Sequence, residues 1–379
     1  MIPIALPLLA EDEAEAARAA VLSGWVSQGP QVAAFEQEFA TLVGAPHACA
    51  VSSCTSALHI ALKALGIRAG DEVIVPSHSF IATANCVRYC DATPVFVDIE
   101  AETYNIDPAR VAEAITPRTR AIIAVHQMGM PCDVTALATL ADRHGIFLVE
   151  DAACAAGSMI RIDQNWEPVG RPRGAIACFS FHPRKVITTG EGGMLTTADP
   201  ALDRKFRLLR QHGMSVPDTV RHGSRQVLFE DYLMVGFNYR MTDIQAAIGR
   251  KQLERLPELV ARRRALAARY TELLGNIEGL VLPFEPDWAR SNWQSYCVLL
   301  PDRIDQRGVM QRLLDQDIAT RRGIMCSHRE APYANGAPRH DLRWSEHAQD
   351  HAILLPLYAQ LTEKDQERIA AALRAGLEF

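Results

Sequence analysis

A chain of 379 residues is long for one core, so two domains are expected, and 48% hydrophobic with 22% charged residues is ordinary for a globular protein in water. A net charge of −6 and a pI near 6.1 exclude the basic surface that a nucleic-acid binder needs, while leaving room for a local anion site. No apolar run approaches the ~18 residues of a membrane span. The opening MIPIALPLLAEDEAEAARAA lacks the basic start of a signal peptide and turns acidic quickly. Nine cysteines without CxxC spacing read as reduced and buried, so a cytoplasmic protein with neither membrane nor nucleic-acid partners is expected.

EDEAEAARAAVLS (11–23) has helix character and stops at Gly24; the loop WVSQGP leads into a second helix, QVAAFEQEFATLVG. ACAVSSCTSALHIALKALG reads strand, polar turn, helix, with Ser52, Ser53, Thr55 and Ser56 crowding the helix start. Such a start offers free N–H groups and the positive end of a dipole, ready for phosphate, and equally suits an ordinary Ser/Thr cap. EVIVP, PVFVDI (Pro94–Ile99), AIIAVHQMG (Ala121–Gly129) and IFLVED (Ile146–Asp151) are unbroken apolar strands. SHSFIATANCVRYC, ARVAEAI (Ala109–Ile115) and VTALATLADRHG are read as the helices between them. AIACFSF and MLTT (Met194–Thr197) are two further strands, joined by a Gly-punctuated polar loop. Strands without alternation, separated by helices, predict an α/β fold: a mainly parallel central sheet with helices on both faces.

Beyond residue 200 the pattern turns helical, with ALDRKFRLLRQHG and then a long Arg-studded run from Met241 to Leu274 as a connector. SYCVLLP and IATRRGI suggest strands of a smaller α+β C-terminal domain, QRGVMQRLLDQ a helix between them, and EKDQERIAAALRAGLEF a final helix. The expected division is 1–245 for the large domain and 246–379 for the small one, with the N-terminal helices able to pack on the latter.

In mainly parallel sheets, ligands collect at the carboxyl ends of the strands. Val51–Thr55, Pro76–Phe80, His126, Asp151 and Ser180 all fall at such ends. The loop between AIACFSF and MLTT carries Lys185, one of only five lysines; Lys63, Lys205, Lys251 and Lys364 lie in helical contexts. Arginine supplies the remaining positive charge, and arginine cannot form an imine with a carbonyl. A lysine at a strand end therefore suggests Schiff-base chemistry, although anion binding or structure would serve it too. Asp151 needs a partner if it is buried, and a protonated pyridine nitrogen is a suitable one; capping of AACAAG is the alternative.

WVSQGPQVAAFE, SSCTSALHIAL, DEVIVPSHSFIATAN, AITPRTRAIIAVHQMGMPCDV, VEDAACAAGS, FSFHPRKVITTGEGGM, GFNYRMTDIQAAIG and ILLPLYAQLTEKDQ together resemble the DegT-type, or StrS-type, sugar aminotransferases, a branch of the fold-type I enzymes that use pyridoxal 5'-phosphate. The resemblance runs nearly end to end. It implies that Lys185 forms the Schiff base with the cofactor and that Asp151 faces its pyridine nitrogen. Cys54 and Thr55 would stand at the phosphate turn, Ser180 would add a hydroxyl to the phosphate, and Phe80 would stack on the ring. Asn238 would reach the phosphate of a neighbouring subunit, which implies a homodimer with shared sites. Cys154 takes a position usually held by Gln or His against the cofactor's phenolic oxygen, and a thiol is a weak donor. His182 could line the same pocket. Trp25, Gln28 and Gly29, and from a late loop His328 and Tyr333, stand where such proteins approach substrate; Arg321 and Arg322 read as surface arginines.

The implied reaction is a ping-pong transfer of an amino group, from L-glutamate as donor to a keto group of a nucleotide-linked deoxysugar of the O-antigen or antibiotic kind. A cyclitol ketone is the alternative acceptor. Lys185 must be neutral when it acts as a base, and a desolvated, cation-bearing site should lower its pKa. A lyase of the same fold is a second class, and the sugar dehydratases of this fold carry His where Lys185 stands. A desulfurase would need a mobile cysteine, for which Cys326 is the loop-like candidate. A sensor that has lost the chemistry is a third class. No metal site is expected: His347 and His351 have i,i+4 spacing, but no third ligand is evident and a solvated helix face explains them.

Overall fold

The computed structural model describes residues 1–216, 220–221, 224–334 and 338–377. Its central sheet is built from β1 (His47–Val51), β2 (Glu72–Pro76), β3 (Thr93–Val97), β4 (Thr119–Val125), β5 (Phe147–Asp151), β8 (Ile176–Ser180) and β9 (Gly193–Thr197), in the order β1-β9-β8-β5-β4-β2-β3. The pairs β2–β3, β2–β4, β4–β5 and β5–β8 are parallel; only β9 runs against its neighbours β8 and β1. The mainly parallel α/β sheet expected from the unbroken apolar strands is what forms.

Alternate side chains of each strand enter opposite cores. Ala48, Ala50, Ile122, Ala124, Ala177 and Phe179 join one core with α2 (Pro30–Val43), α6 (Val134–His144) and the first half of α8 (Asp243–Leu274). Cys49, Val51, Ala121, Ile123, Ile176 and Cys178 join the other with α3 (Cys54–Ala64), α4 (Ala82–Arg88) and α7 (Pro200–Leu209). With both faces covered, the strands carry no polar alternation, and the carboxyl-terminal edge is left for chemistry.

A third core lies beyond. Leu266, Ala267, Tyr270 and Leu274 of α8 pack there with β11 (Tyr296–Leu299), α9 (Gln306–Leu314), β13 (Ala352–Leu355) and α11 (Glu363–Leu377). The change from the first core to the third falls inside α8, between Leu259 and Leu266. Chain ends cross the division as well: Ile2 bridges Ile318 and is buried in the third core, and β10 (Ala289–Arg290) pairs with the hairpin β6 (Met159–Ile162)–β7 (Asn165–Pro168). Helix α1 (Glu11–Leu22) lies on α8.

Two stretches differ from expectation. SHSF is loop, and α4 starts only at Ala82. Ser79 N–H bonds the Ser77 carbonyl and Ser79 Oγ bonds Thr83 Oγ1, so short hydroxyl side chains hold a turn in place of helix. IATRRGI contributes only the two-residue β12 (Arg321–Arg322), paired with β13. The last two residues of the expected final helix lie outside the described residues.

Candidate active site

The β8–β9 connection carries Lys185, while Lys63, Lys205, Lys251 and Lys364 all lie on helices. Four bonds fix the loop. Lys185 N–H donates to His182 O (2.8 Å), Thr188 Oγ1 and Thr189 N–H both donate to Phe181 O (2.8 and 3.0 Å), and Gln252 of α8 accepts from Thr188 N–H (3.2 Å). Where β9 begins, the turn into α3 approaches so closely that a Cβ on Gly193 would lie 2.5 Å from the Ser53 carbonyl oxygen and 2.7 Å from Cys54 N. Only glycine fits there. The Lys185 loop and the α3 N-terminus are thus placed together by backbone contact.

At that N-terminus Ser53 Oγ accepts from Ser56 N–H at 3.1 Å. Cys54 and Thr55, the first residues of α3, present N–H groups for which the helix supplies no acceptor. Ser180 ends β8 and is buried.

Asp151 ends β5 with only 5% of its surface exposed. Thr83 Oγ1 donates to Oδ2 (2.9 Å) and Ala153 N–H to Oδ1 (3.2 Å); Cys54 Sγ lies 4.0 Å from Oδ1. With its proton committed to Asp151, the Thr83 hydroxyl accepts from Ser79 Oγ (2.8 Å). Burial pushes the Asp151 carboxyl above the usual carboxylate range, against the pull of Thr83, Ala153 N–H and Lys185. Among the described residues, no basic side-chain nitrogen comes within ion-pairing distance of this carboxylate. A buried carboxylate in this state suits a cationic ring nitrogen. The residues present therefore fit pyridoxal phosphate: an anion-ready helix start, an amine, and a carboxylate lacking a cation.

Lys185 Nζ lies 3.1 Å from Cys154 Sγ. Burial works to lower its pKa, but Cys154, Cys54 and Asp151 outweigh it and the net shift is upward. This reverses the lowering expected from the sequence, because that expectation placed cations in the site and the chain itself supplies two thiols and a carboxylate. Burial, reinforced by Asp151, pushes the Cys54 thiol up as well. Cys154 is held from behind, since Asn292 Nδ2 donates to the carbonyls of Cys154 and Ala156, each at 2.8 Å.

The remaining residues singled out from the sequence fall in three places. Phe80 is 63% exposed on the loop after β2. Against that loop and α4 the late segment folds back: His328 Nδ1 is 2.5 Å from Ser77 Oγ, its Nε2 is 2.9 Å from Glu346, and Tyr333 OH donates to Asn85 Oδ1 (2.6 Å). Gln28 and Gly29 are buried at the entry to α2, and Trp25 precedes them. Gly29 N–H bonds Asp243 Oδ1 (2.8 Å), and a Cβ on Gly29 would lie 2.6 Å from that carboxylate. Asn238 is exposed and bridges Gln211; its neighbour Tyr239 accepts Ser52 N–H (2.8 Å). His182 turns its Nδ1 to Arg184 N–H (3.2 Å) within its own loop. His126 is fully buried: Nδ1 accepts from Cys132 N–H (3.1 Å), so the ring is neutral and Nε2–H donates to Glu150 (3.1 Å).

Thr83, Ser79 and Asn292 were missed. Thr83 sits in IATAN, which reads as plain helix, and its only signal is a hydroxyl four residues after Ser79. Asn292 is distant in sequence and leaves no local signal.

A mainly parallel sheet of this strand order, with an amine and a buried carboxylate beside a helix start at its carboxyl edge, defines a fold-type I pyridoxal-phosphate aminotransferase. The chain belongs to the DegT/DnrJ/EryC1/StrS aminotransferase family, whose model matches residues 7–374. It is 38% identical to the spore coat polysaccharide biosynthesis protein SpsC of Bacillus subtilis, over 98% of this chain and 96% of that protein. Among solved structures it resembles the aminotransferase TlmJ of Streptoalloteichus hindustanus, with 34% identity, TM-score 0.91, and 100% and 99% of the two chains covered. Spr1654 of Streptococcus pneumoniae in its PMP form gives 26% identity and TM-score 0.93 over the same shares.

Proposed function

We propose that this aminotransferase moves an amino group from L-glutamate to a keto group of a nucleotide-linked deoxysugar, by a ping-pong cycle in a cytoplasmic homodimer. The observation that carries the site assignment is Asp151, buried without a cation beside Lys185 and the α3 N-terminus. The sugar rests on kinship with SpsC, a polysaccharide-biosynthesis protein. A cyclitol ketone is the other acceptor to be tested.

In this reading, the N–H groups of Cys54 and Thr55 and the Ser180 hydroxyl hold the cofactor phosphate, joined by Asn238 of a second copy. Phe80 would cover the ring, and His182 and Cys154 would border it. When bound, the cofactor supplies an aldehyde that accepts the amino group and a ring that withdraws electrons from the donor's Cα. Asp151 keeps its charge opposite the ring nitrogen. Lys185 Nζ would take the Cα proton as a neutral amine, a state favoured once the site holds a positive charge that the chain's own residues do not supply. Trp25, Gln28, Gly29, His328 and Tyr333 border the acceptor, with Gly29 acting through its backbone. The large domain, read as 1–245, and the small one, read as 246–379, flank this site, with α8 shared between their cores.

The exposed apolar run Val227, Phe229, Tyr232, Leu233 and Val235 just before Asn238 supports self-association. Among the described residues no helix is long and apolar enough to cross a membrane. The desulfurase alternative loses support: Cys326 is fully buried, its Sγ donates to Ser345 O (3.0 Å), and burial pushes its pKa up to about 12.

The test is the visible spectrum of the purified protein with pyridoxal phosphate, before and after L-glutamate, beside Lys185→Ala. A band that glutamate bleaches in the wild type and that the variant lacks is expected. Screening keto-sugars and keto-cyclitols against the bleached form then finds the acceptor. A variant that still shows the wild-type band and response overturns the assignment of Lys185, and a band that ignores every amino donor overturns the transfer reading.

A further inference from the structure

His347 and His351 are one helical turn apart on α10 (Arg343–His351), a spacing that puts both rings on one face. The sequence shows no third ligand for them. The fold brings one: Asp302, in the turn between β11 and α9, places Oδ1 2.8 Å from His347 Nε2. One ligand atom from each of Asp302, His347 and His351 lies within 4.8 Å of the others. The two imidazole rings are 4.7 Å apart between centroids, and His351 Nδ1 is buried with no hydrogen-bond partner among the described residues.

We propose that Asp302, His347 and His351 form a binding site for one divalent transition-metal ion of the zinc class. Two neutral imidazoles and a carboxylate suit zinc, nickel or copper far better than magnesium or calcium, which prefer all-oxygen shells. A tetrahedral ion with bonds of ~2.0–2.1 Å holds its ligand atoms about 3.3 Å apart. The Asp302–His347 pair needs to open by only a fraction of an ångström, and Asp302 is exposed enough to swing freely. Solvent completes the coordination on the open side. A surface ion pair alone contributes little and does not explain the third group, since two residues would suffice for it.

The position gives the ion a structural effect. The other end of α10 is tied to the central sheet, because Asp98, one residue past β3, accepts from Trp344 N–H (2.9 Å) and from Ser345 N–H and Oγ (2.7 Å each). Glu346, next to His347, holds His328. An ion at the far end fastens the last turn of α10 to the β11–α9 turn, so the helix is fixed at both ends. The ion braces the smaller unit and takes no part in the amino transfer.

The test is calorimetric titration of tag-free, chelator-treated, cofactor-loaded protein with zinc chloride, beside Asp302→Asn, His347→Ala and His351→Ala. One ion per chain with micromolar affinity is expected, weakened at least tenfold in each variant. The thermal midpoint should rise with zinc in the wild type alone. Wild-type protein that takes up no zinc at 100 times a micromolar concentration (about 100 μM), or variants that bind it equally well, overturns the proposal. Asp302 is exposed and the two histidines are half-buried, so melting curves without metal should lie close together and show that the variants are folded.

Discussion

At the scale of single residues, the organising group is Asp151, and its charge depends on Thr83. The hydroxyl is one of two donors to a carboxylate that burial would otherwise protonate. Thr83→Val removes it while keeping the shape, and a hydrogen bond to a buried charge contributes about 1.5–3 kcal/mol. The apo protein should therefore bind pyridoxal phosphate roughly tenfold or more weakly, as measured by equilibrium absorbance titration, and Thr83→Ser should restore most of the affinity. Equal affinity in all three proteins would show that Ala153 N–H suffices. Asp151 and Ser180 could be singled out because each stands at the end of an apolar run, where a polar residue is conspicuous, and Lys185 because the other four lysines lie on helices. Thr83 and Asn292 were not, because their meaning lies in bonds to residues 68 and 138 positions away.

At the scale of elements, apolar runs marked the strands of the central sheet well, since strands covered on both faces leave no other reading. The β6–β7 hairpin was missed: its turn, Asp163-Gln164, adopts left-handed φ values of 46° and 71° without the glycine that usually signals such a turn. The caps were also invisible, because two of the important ones come from other elements. Asp98 caps α10, and Asp243 caps α2 by accepting from Gly29 N–H (2.8 Å), Gln31 N–H (3.1 Å) and Val32 N–H (2.9 Å). Asp243 is also the first residue of α8, so one carboxylate fixes the crossing of two helices. Asp243→Ala leaves three N–H groups without their acceptor and should cost about 2 kcal/mol, read as a lower denaturant midpoint with unchanged slope. Asp243→Asn, which keeps one acceptor oxygen, should fall between. A loss within about 0.5 kcal/mol would mean that water replaces the cap.

At the scale of the whole molecule, the late segment that carries His328 and Tyr333 is anchored to the sheet by charge. Glu72, at the start of β2, is buried and accepts from Thr116 Oγ1 (2.6 Å), Arg118 (2.7 Å) and Arg339 (3.0 Å). Burial alone would raise its pKa, but Arg339, Thr116 and Arg118 outweigh it and hold the carboxyl down at about 2. A depressed carboxylate stabilises the fold in full above its ordinary pKa of about 4.3 and loses that contribution as pH falls toward 2. The guanidinium partners are 65% and 45% exposed, so solvent screening limits the effect to about 1–2 kcal/mol. Glu72→Gln cannot titrate. Its Tm should start below the wild type at pH 6 and converge on it as the pH falls from about 4 toward 2, as scanning calorimetry at stepped pH would record. Curves that stay parallel through that interval would place the acid sensitivity elsewhere and leave Arg339 as a surface contact with no hold on the late segment.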